Sequence, residues 1–174
     1  SLIDPKDTKK MQHEYLSGII PQNKLSKALD LYSFIRNEGL DPAKGADKKV
    51  ITDLLEEQEF SQEEARFTQL AWEEYEDEKS EYNLLDYDDL INLPILALEE
   101  NPNFRHKINN DLKYVIIDEA QDNNMSQYKL LTLLAPPGTS VMLIGDGDQS
   151  IHRWRGAHPE NLNKFQDAYQ PALY

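Results

Sequence analysis

A strand–helix–strand pattern near the carboxyl-terminal end constrains the fold more than any other feature of the sequence. "KYVIID" (113–118) and "VMLIGD" (141–146) are short apolar segments, and the leucine-rich "SQYKLLTLLA" (126–135) lies between them. Two strands joined by a helix form a right-handed crossover with parallel strands. Because both segments are continuously apolar, we predict strands that are covered on both faces. The pattern therefore predicts an α/β fold that contains part of a parallel sheet.

The sequence before this pattern is predicted to be mainly helical. Apolar residues recur at a helical period through residues 22–37, and Ser61 with Glu64 forms a capping box that opens another helix. The predicted apolar face of that helix consists of Phe67, Leu70, Ala71 and Tyr75. We therefore predict two parts, a helical subdomain over residues 1–110 and a sheet-bearing subdomain over residues 111–174.

The charge of the chain is concentrated in one segment. The formal net charge is −14, and residues 53–89 alone hold fifteen acidic and two basic side chains. Such a segment repels phosphates, so we expect it to face away from any bound nucleic acid. The sequence has no cysteine, no signal-peptide pattern and no apolar run near the about 18 residues of a membrane span. These features favour a cytoplasmic protein without a membrane partner.

Acidic side chains follow both predicted strands. Asp118 and Glu119 come directly after the first strand, and Asp146 follows the second. Ligands of open α/β sheets bind beyond the carboxyl ends of the strands, where an Asp can hold Mg²⁺ and a Glu can deprotonate water. This arrangement is suited to hydrolysis of a nucleotide phosphate. The alternative is that Asp118, Glu119 and Asp122 only favour the amino terminus of the next helix through its dipole.

The second strand runs into the polar segment "GDGDQSIHRWRGA" (145–157). The amide of Gln149 can donate to a phosphate oxygen and so sense the γ-phosphate. Trp154 lies between Arg153 and Arg155, and an aromatic ring flanked by guanidinium groups can bind a single nucleic-acid strand. The alternative reading makes Trp154 a core residue and the arginines members of surface ion pairs.

These motifs together resemble those of UvrD/Rep-like superfamily 1 DNA helicases. "VIIDEAQDNN" resembles their Walker B motif, "GDGDQSIHRWRGA" resembles motif III, and "LLDYDDL" (84–90) is similar to a segment that precedes Walker B. In that last segment Asp86 and Asp89 are predicted to cap the following helix. The resemblance implies a partial RecA-like sheet of the P-loop NTPase fold, with residues 111–174 as 1A and the helical residues 1–110 as an inserted 1B subdomain.

The resemblance also implies roles in ATP hydrolysis. Asp118 corresponds to the ligand of Mg²⁺ in Mg-ATP, and Glu119 corresponds to the catalytic base that activates water. Gln149 corresponds to the residue that contacts the γ-phosphate and couples hydrolysis to movement. Asp146 corresponds to a supporting residue of the nucleotide site.

A second set of roles concerns DNA. Trp154 corresponds to the residue that stacks on a base of single-stranded DNA, and Arg155 to one that links the nucleotide site to DNA. Arg153 and His152 belong to the same predicted DNA-binding group, although His152 stands where the family usually has Tyr. The implied partners are single-stranded and duplex DNA together with ATP.

The sequence lacks the loop that cradles nucleotide phosphates in such enzymes. A P-loop needs Gly-x-x-x-x-Gly-Lys-Ser/Thr, and none of the seven glycines here precedes a lysine. We therefore expect an internal piece of a helicase that needs the rest of its chain and alone neither hydrolyses ATP nor unwinds DNA. The alternatives are the motor part of a helicase–nuclease, a non-catalytic helicase-like domain that binds DNA or protein, and a Mg²⁺-dependent phosphohydrolase that uses Asp118 and Asp146.

Overall fold

The computed structural model describes residues 1–136 and 138–145 of the chain. The elements are helices α1 (Pro5–Leu16), α2 (Gln22–Asn37), α3 (Lys48–Glu57), α4 (Gln62–Glu81), α5 (Asp89–Glu100), α6 (Pro102–Asp111) and α7 (Met125–Leu134), a short 3₁₀ helix (Ala120–Asp122), and strands β1 (Tyr114–Ile117) and β2 (Ser140–Leu143). Helices and a parallel strand pair confirm the predicted α/β class. The chain forms two compact units, one over Ser1–Leu90 and one that begins at Ile91.

The first unit is helical and is built around aromatic side chains. Trp72 and Tyr75 of α4 and Tyr32 of α2 are all 1% exposed or less. The ring of Tyr32 meets those of Trp72 and Tyr75 edge to face, at centroid distances of 5.8 and 5.4 Å. Each such ring buries a large apolar area, so these three residues anchor the packing of α2 against α4.

The start of α4 confirms the predicted capping box. The amide of Glu64 donates to Oγ of Ser61 at 3.3 Å, and the amide of Ser61 donates to the carboxylate of Glu64 at 2.7 Å. Two of the amides that a helix leaves unpaired at its amino terminus are satisfied in this way.

The prediction of the apolar face of α4 was correct for two of its four residues and wrong for the other two. Ala71 and Tyr75 are buried as expected, but Phe67 and Leu70 are 40% and 42% exposed. The buried face instead passes through Thr68 and reaches the core through Ala65, Ala71, Trp72 and Tyr75. Helices α1 and α3 pack on α4, so the position of these neighbours decides which side of the helix is buried.

A cluster of charged side chains lies inside the helical unit. Nζ of Lys79 is 2.8 Å from Asp86, 2.9 Å from Asp89 and 3.1 Å from Glu76. The guanidinium of Arg36 adds a second cation, 3.3 Å from Asp89. Burial opposes the charge of Lys79, yet the carboxylates of Glu76 and Asp86 outweigh it and raise the pKa of Lys79. The cluster is therefore a paired ionic network rather than an isolated buried charge.

The same cluster forms the predicted cap of α5. The amide of Asp89 donates to the Asp86 carboxylate at 3.0 Å, and the amide of Asp86 donates to that of Asp89 at 2.9 Å. The prediction that Asp86 and Asp89 cap this helix is confirmed. The two carboxylates have a second role, since both also accept from Lys79.

Asp88, in the same loop, makes the stability of this unit depend on pH. Burial and the neighbouring charge of Asp86 raise the pKa of Asp88 from 3.8 to about 6, although Ser33, Arg36 and Lys79 favour its charged form. The folded state therefore binds the proton of Asp88 more tightly than the unfolded state does. The bound proton contributes to the free energy of unfolding at low pH, and this contribution is lost as pH rises through about 6.

We expect Asp88→Asn to stabilise the chain at pH 7.5 by about 1 kcal/mol, a value reduced because Asp88 is half-buried. Below about pH 3 the substitution should have almost no effect, since Asp88 is then neutral in both the folded and the unfolded state. Urea denaturation at the two pH values measures the difference. An equal effect at both would show that the charge of Asp88 does not cause it.

The second unit carries the parallel strand pair. The register aligns Tyr114 with Ser140 and Ile117 with Leu143. Leu131 and Ala135 are buried against one face of the pair, which Val115, Ile117, Val141 and Leu143 form. The strand–helix–strand arrangement inferred from the sequence is thus present, with α7 on one face of the sheet.

The prediction that both faces of the strands are covered was wrong for the described part of the chain. Tyr114, Ile116 and Met142 point away from α7 and are 76%, 65% and 57% exposed. Apolar side chains at these positions make both faces of the strand pair suited to burial. The described residues provide a helix that covers only one of the two faces. Within residues 1–136 and 138–145, no helix has both the length and the apolar character needed to cross a membrane.

Candidate nucleotide site at the carboxyl edge of the sheet

The chain segments that follow the two strands lie side by side. The amide of Ile144 donates to the carbonyl of Ile117 at 2.8 Å, and the amide of Ala120 donates to the carbonyl of Ile144 at 2.9 Å. These two bonds continue the strand pairing past the formal ends of β1 and β2. Asp118 and Glu119 therefore stand at the carboxyl edge of the sheet, next to the point where β2 ends.

Both acids are exposed at this edge. Oδ1 of Asp118 accepts a hydrogen bond from the amide of Glu119 at 3.0 Å. Glu119 has φ 51° and ψ 41°, the left-handed region that residues other than glycine adopt rarely. Such a conformation costs about 1–3 kcal/mol and often accompanies a functional site. Here it turns the chain sharply after β1, so that Asp118 and Glu119 are presented on the surface.

The helix that follows is capped by a residue that the sequence analysis did not single out. The amide of Gln127 donates to Oδ1 of Asn124 at 2.8 Å, and the amide of Asn124 donates to Oε1 of Gln127 at 3.0 Å. Asn124 thus closes the amino terminus of α7, and this task does not fall to Asp118 or Glu119. The alternative that Asp118, Glu119 and Asp122 favour the helix amino terminus through its dipole stays open, since it does not require a capping bond.

The exposed Asp118 fits a magnesium ion that is bound together with a nucleotide. Mg²⁺ is commonly held by one or two carboxylates, with phosphate oxygens and water as its other ligands. In the described ranges, no group of three or more His, Asp or Glu side chains is arranged as a protein-only metal cage. A single carboxylate at a strand end is the donor set that a phosphate-bound ion needs.

Gln121 was missed in the sequence analysis and contacts Glu119 directly. Its Nε2 donates to Oε2 of Glu119 at 2.6 Å, and the residue is only 4% exposed. The sequence carries no signal for this contact, because the burial of Gln121 is a property of the folded chain. The structure therefore adds Gln121 to Asp118 and Glu119 at this edge.

The remaining predicted site residues lie outside the described part of the chain. They are Asp146, Gln149, His152, Arg153, Trp154 and Arg155. Gly145 immediately precedes Asp146 in the sequence and lies next to Ala120 and Gln121. Their assignments stay predictions.

Comparisons with known proteins agree with the motifs. The family model described as the UvrD/REP helicase N-terminal domain matches residues 1–170. The ATP-dependent DNA helicase Rep of Escherichia coli (strain K12) is 34% identical over 175 residues, which cover 99% of this chain and 24% of that protein. The ATP-dependent DNA helicase PcrA of Staphylococcus aureus (strain Mu50) is 32% identical over 178 residues, which cover 99% of this chain and 22% of that protein.

A third relative is more similar over a shorter stretch. The ATP-dependent DNA helicase Rep of Buchnera aphidicola subsp. Baizongia pistaciae is 45% identical over 87 residues, half of this chain. The chain thus spans about a quarter of the length of the curated relatives that it matches throughout.

Proposed function

This chain belongs to the UvrD/REP helicase N-terminal domain family, and on that premise we propose that it is part of an ATP-dependent DNA helicase or translocase. The whole protein couples ATP hydrolysis to movement on single-stranded DNA and to strand separation. The observation that carries the proposal is the meeting of the two strand ends, which brings Asp118, Glu119 and Gly145 to one exposed edge.

The proposed division of labour at this edge follows from the chemistry of the side chains. Asp118 holds Mg²⁺ of Mg-ATP, and the ion neutralises phosphate charge when it is bound. Glu119 orients water and accepts its proton. Gln149 contacts the γ-phosphate, and Asp146 supports the nucleotide site. Asp118, Glu119 and Gln149 thus act as one hydrolytic group.

The second proposed surface binds DNA through Trp154, His152, Arg153 and Arg155. In the full-length protein, Trp154→Ala should weaken binding to an oligothymidine strand by about 1–3 kcal/mol, because a stacked base loses its aromatic partner. Trp154→Phe keeps a ring and should retain most of the affinity. Fluorescence anisotropy measures both, and an unchanged affinity of Trp154→Ala would remove this residue from the DNA site.

The proposal includes a larger motor domain of which this chain is one piece. The four side chains of the apolar face are 45–76% exposed, namely Tyr114, Ile116, Met142 and Ile144. Such a contiguous exposed apolar face is typical of a surface against which another part of a protein packs. We propose that the P-loop part of the 1A subdomain packs there and that a second motor domain completes the enzyme. Residues 1–110 correspond to 1B in this scheme, and residues 111–174 to 1A. The proposed substrate also implies a cytoplasmic location.

A strand-displacement assay tests the proposed function. The full-length protein, with ATP and Mg²⁺, should release a labelled strand from a duplex with a single-stranded tail, and a non-hydrolysable ATP analogue should abolish the release. The 174-residue chain alone should neither release the strand nor hydrolyse ATP. A full-length protein that binds DNA without hydrolysing ATP would instead favour a non-catalytic helicase-like domain.

Displacement followed by cutting of the released strand would favour the motor part of a helicase–nuclease. ATP hydrolysis by the 174-residue chain alone would contradict the account of a piece that needs the rest of the motor.

A further inference from the structure

The space beside Gly145 is filled by the side chain of Gln121. A Cβ atom placed on Gly145 would lie 2.3 Å from Oε1 of Gln121. It would also lie 3.1 Å from the amide nitrogen of Ala120 and 3.3 Å from that of Gln121. Gly145 is not among the described glycines with positive φ. Its missing side chain is therefore required by space, not by backbone conformation.

The amide nitrogen of the same Gln121 side chain contacts the carboxylate of Glu119. Nε2 of Gln121 donates to Oε2 of Glu119 at 2.6 Å, while Oε1 faces Gly145. Gln121 is 4% exposed, so its side chain has little freedom to choose another position. The carboxamide thus lies between the end of β2 and the carboxylate of Glu119.

The backbone around this contact is held in place. The backbone amide of Ala120 donates a hydrogen bond to the carbonyl of Ile144 at 2.9 Å. The amide of Ile144 in turn donates to the carbonyl of Ile117 at 2.8 Å. These bonds join the residue before Gly145 to the residues on either side of Asp118 and Glu119. A group added at Gly145 can therefore be accommodated most easily by displacing the side chain of Gln121.

We infer that Gln121 is a positioning residue that couples the end of β2 to the carboxylate of Glu119. The inference rests on the proposed role of Glu119 as the base in ATP hydrolysis. Gln121 fixes the direction in which that carboxylate points, and Gly145 provides the space that Gln121 needs.

The test compares Gln121→Ala, Gly145→Ala and the double variant in the full-length protein. Each single variant should lower kcat for ATP hydrolysis by about 10- to 100-fold, since a misplacement of about 1 Å can cost that much. KM for ATP and the affinity for a fluorescent ATP analogue should stay unchanged, because neither residue is assigned to nucleotide binding. A general loss of structure would change all three quantities.

The double variant distinguishes coupling from two separate effects. With Gln121 already truncated, Gly145→Ala has no carboxamide to displace and should lower kcat by no more than about threefold further. Gly45→Ala is the matched control: Gly45 has no atom within 4 Å of an added Cβ and no positive φ, so kcat should not change.

Losses that multiply in the double variant, or single variants with normal kcat, would overturn the inference. The proposed function is tested separately by Glu119→Gln. If that variant loses hydrolysis while Gln121→Ala does not, only the positioning role fails. If Glu119→Gln retains hydrolysis, the assignment of the base itself is wrong.

Discussion

Glu119→Gln in the full-length protein should lower kcat for ATP hydrolysis by about 10²- to 10⁴-fold, the range that a general base contributes. The amide has the size and shape of the carboxylate but cannot accept a proton from water. It can still accept the hydrogen bond that Gln121 donates to Glu119, so the local structure should be retained. Binding of ATP should be nearly unchanged, because Mg²⁺ is assigned to Asp118. Steady-state phosphate release and binding of a fluorescent ATP analogue measure the two quantities.

Glu100→Gln provides the matched control. Glu100 is an exposed glutamate of α5 in the same unit, and its replacement also removes one negative charge. The control should hydrolyse ATP at the normal rate. A Glu119→Gln variant that remains within a few-fold of that rate would contradict the assignment of Glu119 as the base.

Lys79→Met should destabilise the chain by about 3–5 kcal/mol, the cost of leaving buried charges without their partner. Lys79 is 3% exposed, and its ammonium lies within 3.1 Å of Glu76, Asp86 and Asp89. Methionine fills a similar volume, so the loss should come from the carboxylates rather than from a cavity. Urea denaturation of the 174-residue chain, followed by circular dichroism of its helices, measures the change.

Lys9→Met is the control, because it removes a paired lysine charge at an exposed position instead of a buried one. Lys9 also pairs with a carboxylate, 3.3 Å from Asp30, but the two side chains are 60% and 68% exposed. Surface pairs contribute about 0–1 kcal/mol, so this variant should keep nearly normal stability. Equal effects of Lys79→Met and Lys9→Met would show that the ionic network does not hold the helical unit together.

Features that depend on neighbouring residues could be predicted from the sequence. The bounds of α2 agree with the periodic segment 22–37, and the cap formed by Ser61 and Glu64 is present as expected. Asp86 and Asp89 also cap α5. Each of these features is decided by side chains within one or two helical turns, so the sequence pattern contains the information.

Features that depend on packing partners could not be predicted in the same way. Phe67 and Leu70 are as apolar as the core residues of α4, and only the placement of α1 and α3 leaves them exposed. Lys79 has the sequence signature of a surface residue, yet it is buried because three acids from two segments converge on it. The exposed face of β1 and β2 likewise depends on what packs against the sheet.

The candidate site divides in the same manner. Asp118 and Glu119 could be identified because an apolar strand that ends in acids indicates a ligand at the edge of a sheet. Gln121 and Gly145 could not, since their contact joins the ends of two strands and appears only when these strands pair. The left-handed conformation of Glu119 is equally invisible in the sequence.

The most direct test of the account is a crystal structure of the full-length protein with Mg²⁺ and a non-hydrolysable ATP analogue. We expect Asp118 beside the metal ion, Glu119 and Gln149 both facing the terminal phosphate, and the carboxylate of Glu119 hydrogen-bonded to the attacking water. A nucleotide bound elsewhere, or a terminal phosphate that neither Glu119 nor Gln149 approaches, would contradict this expectation.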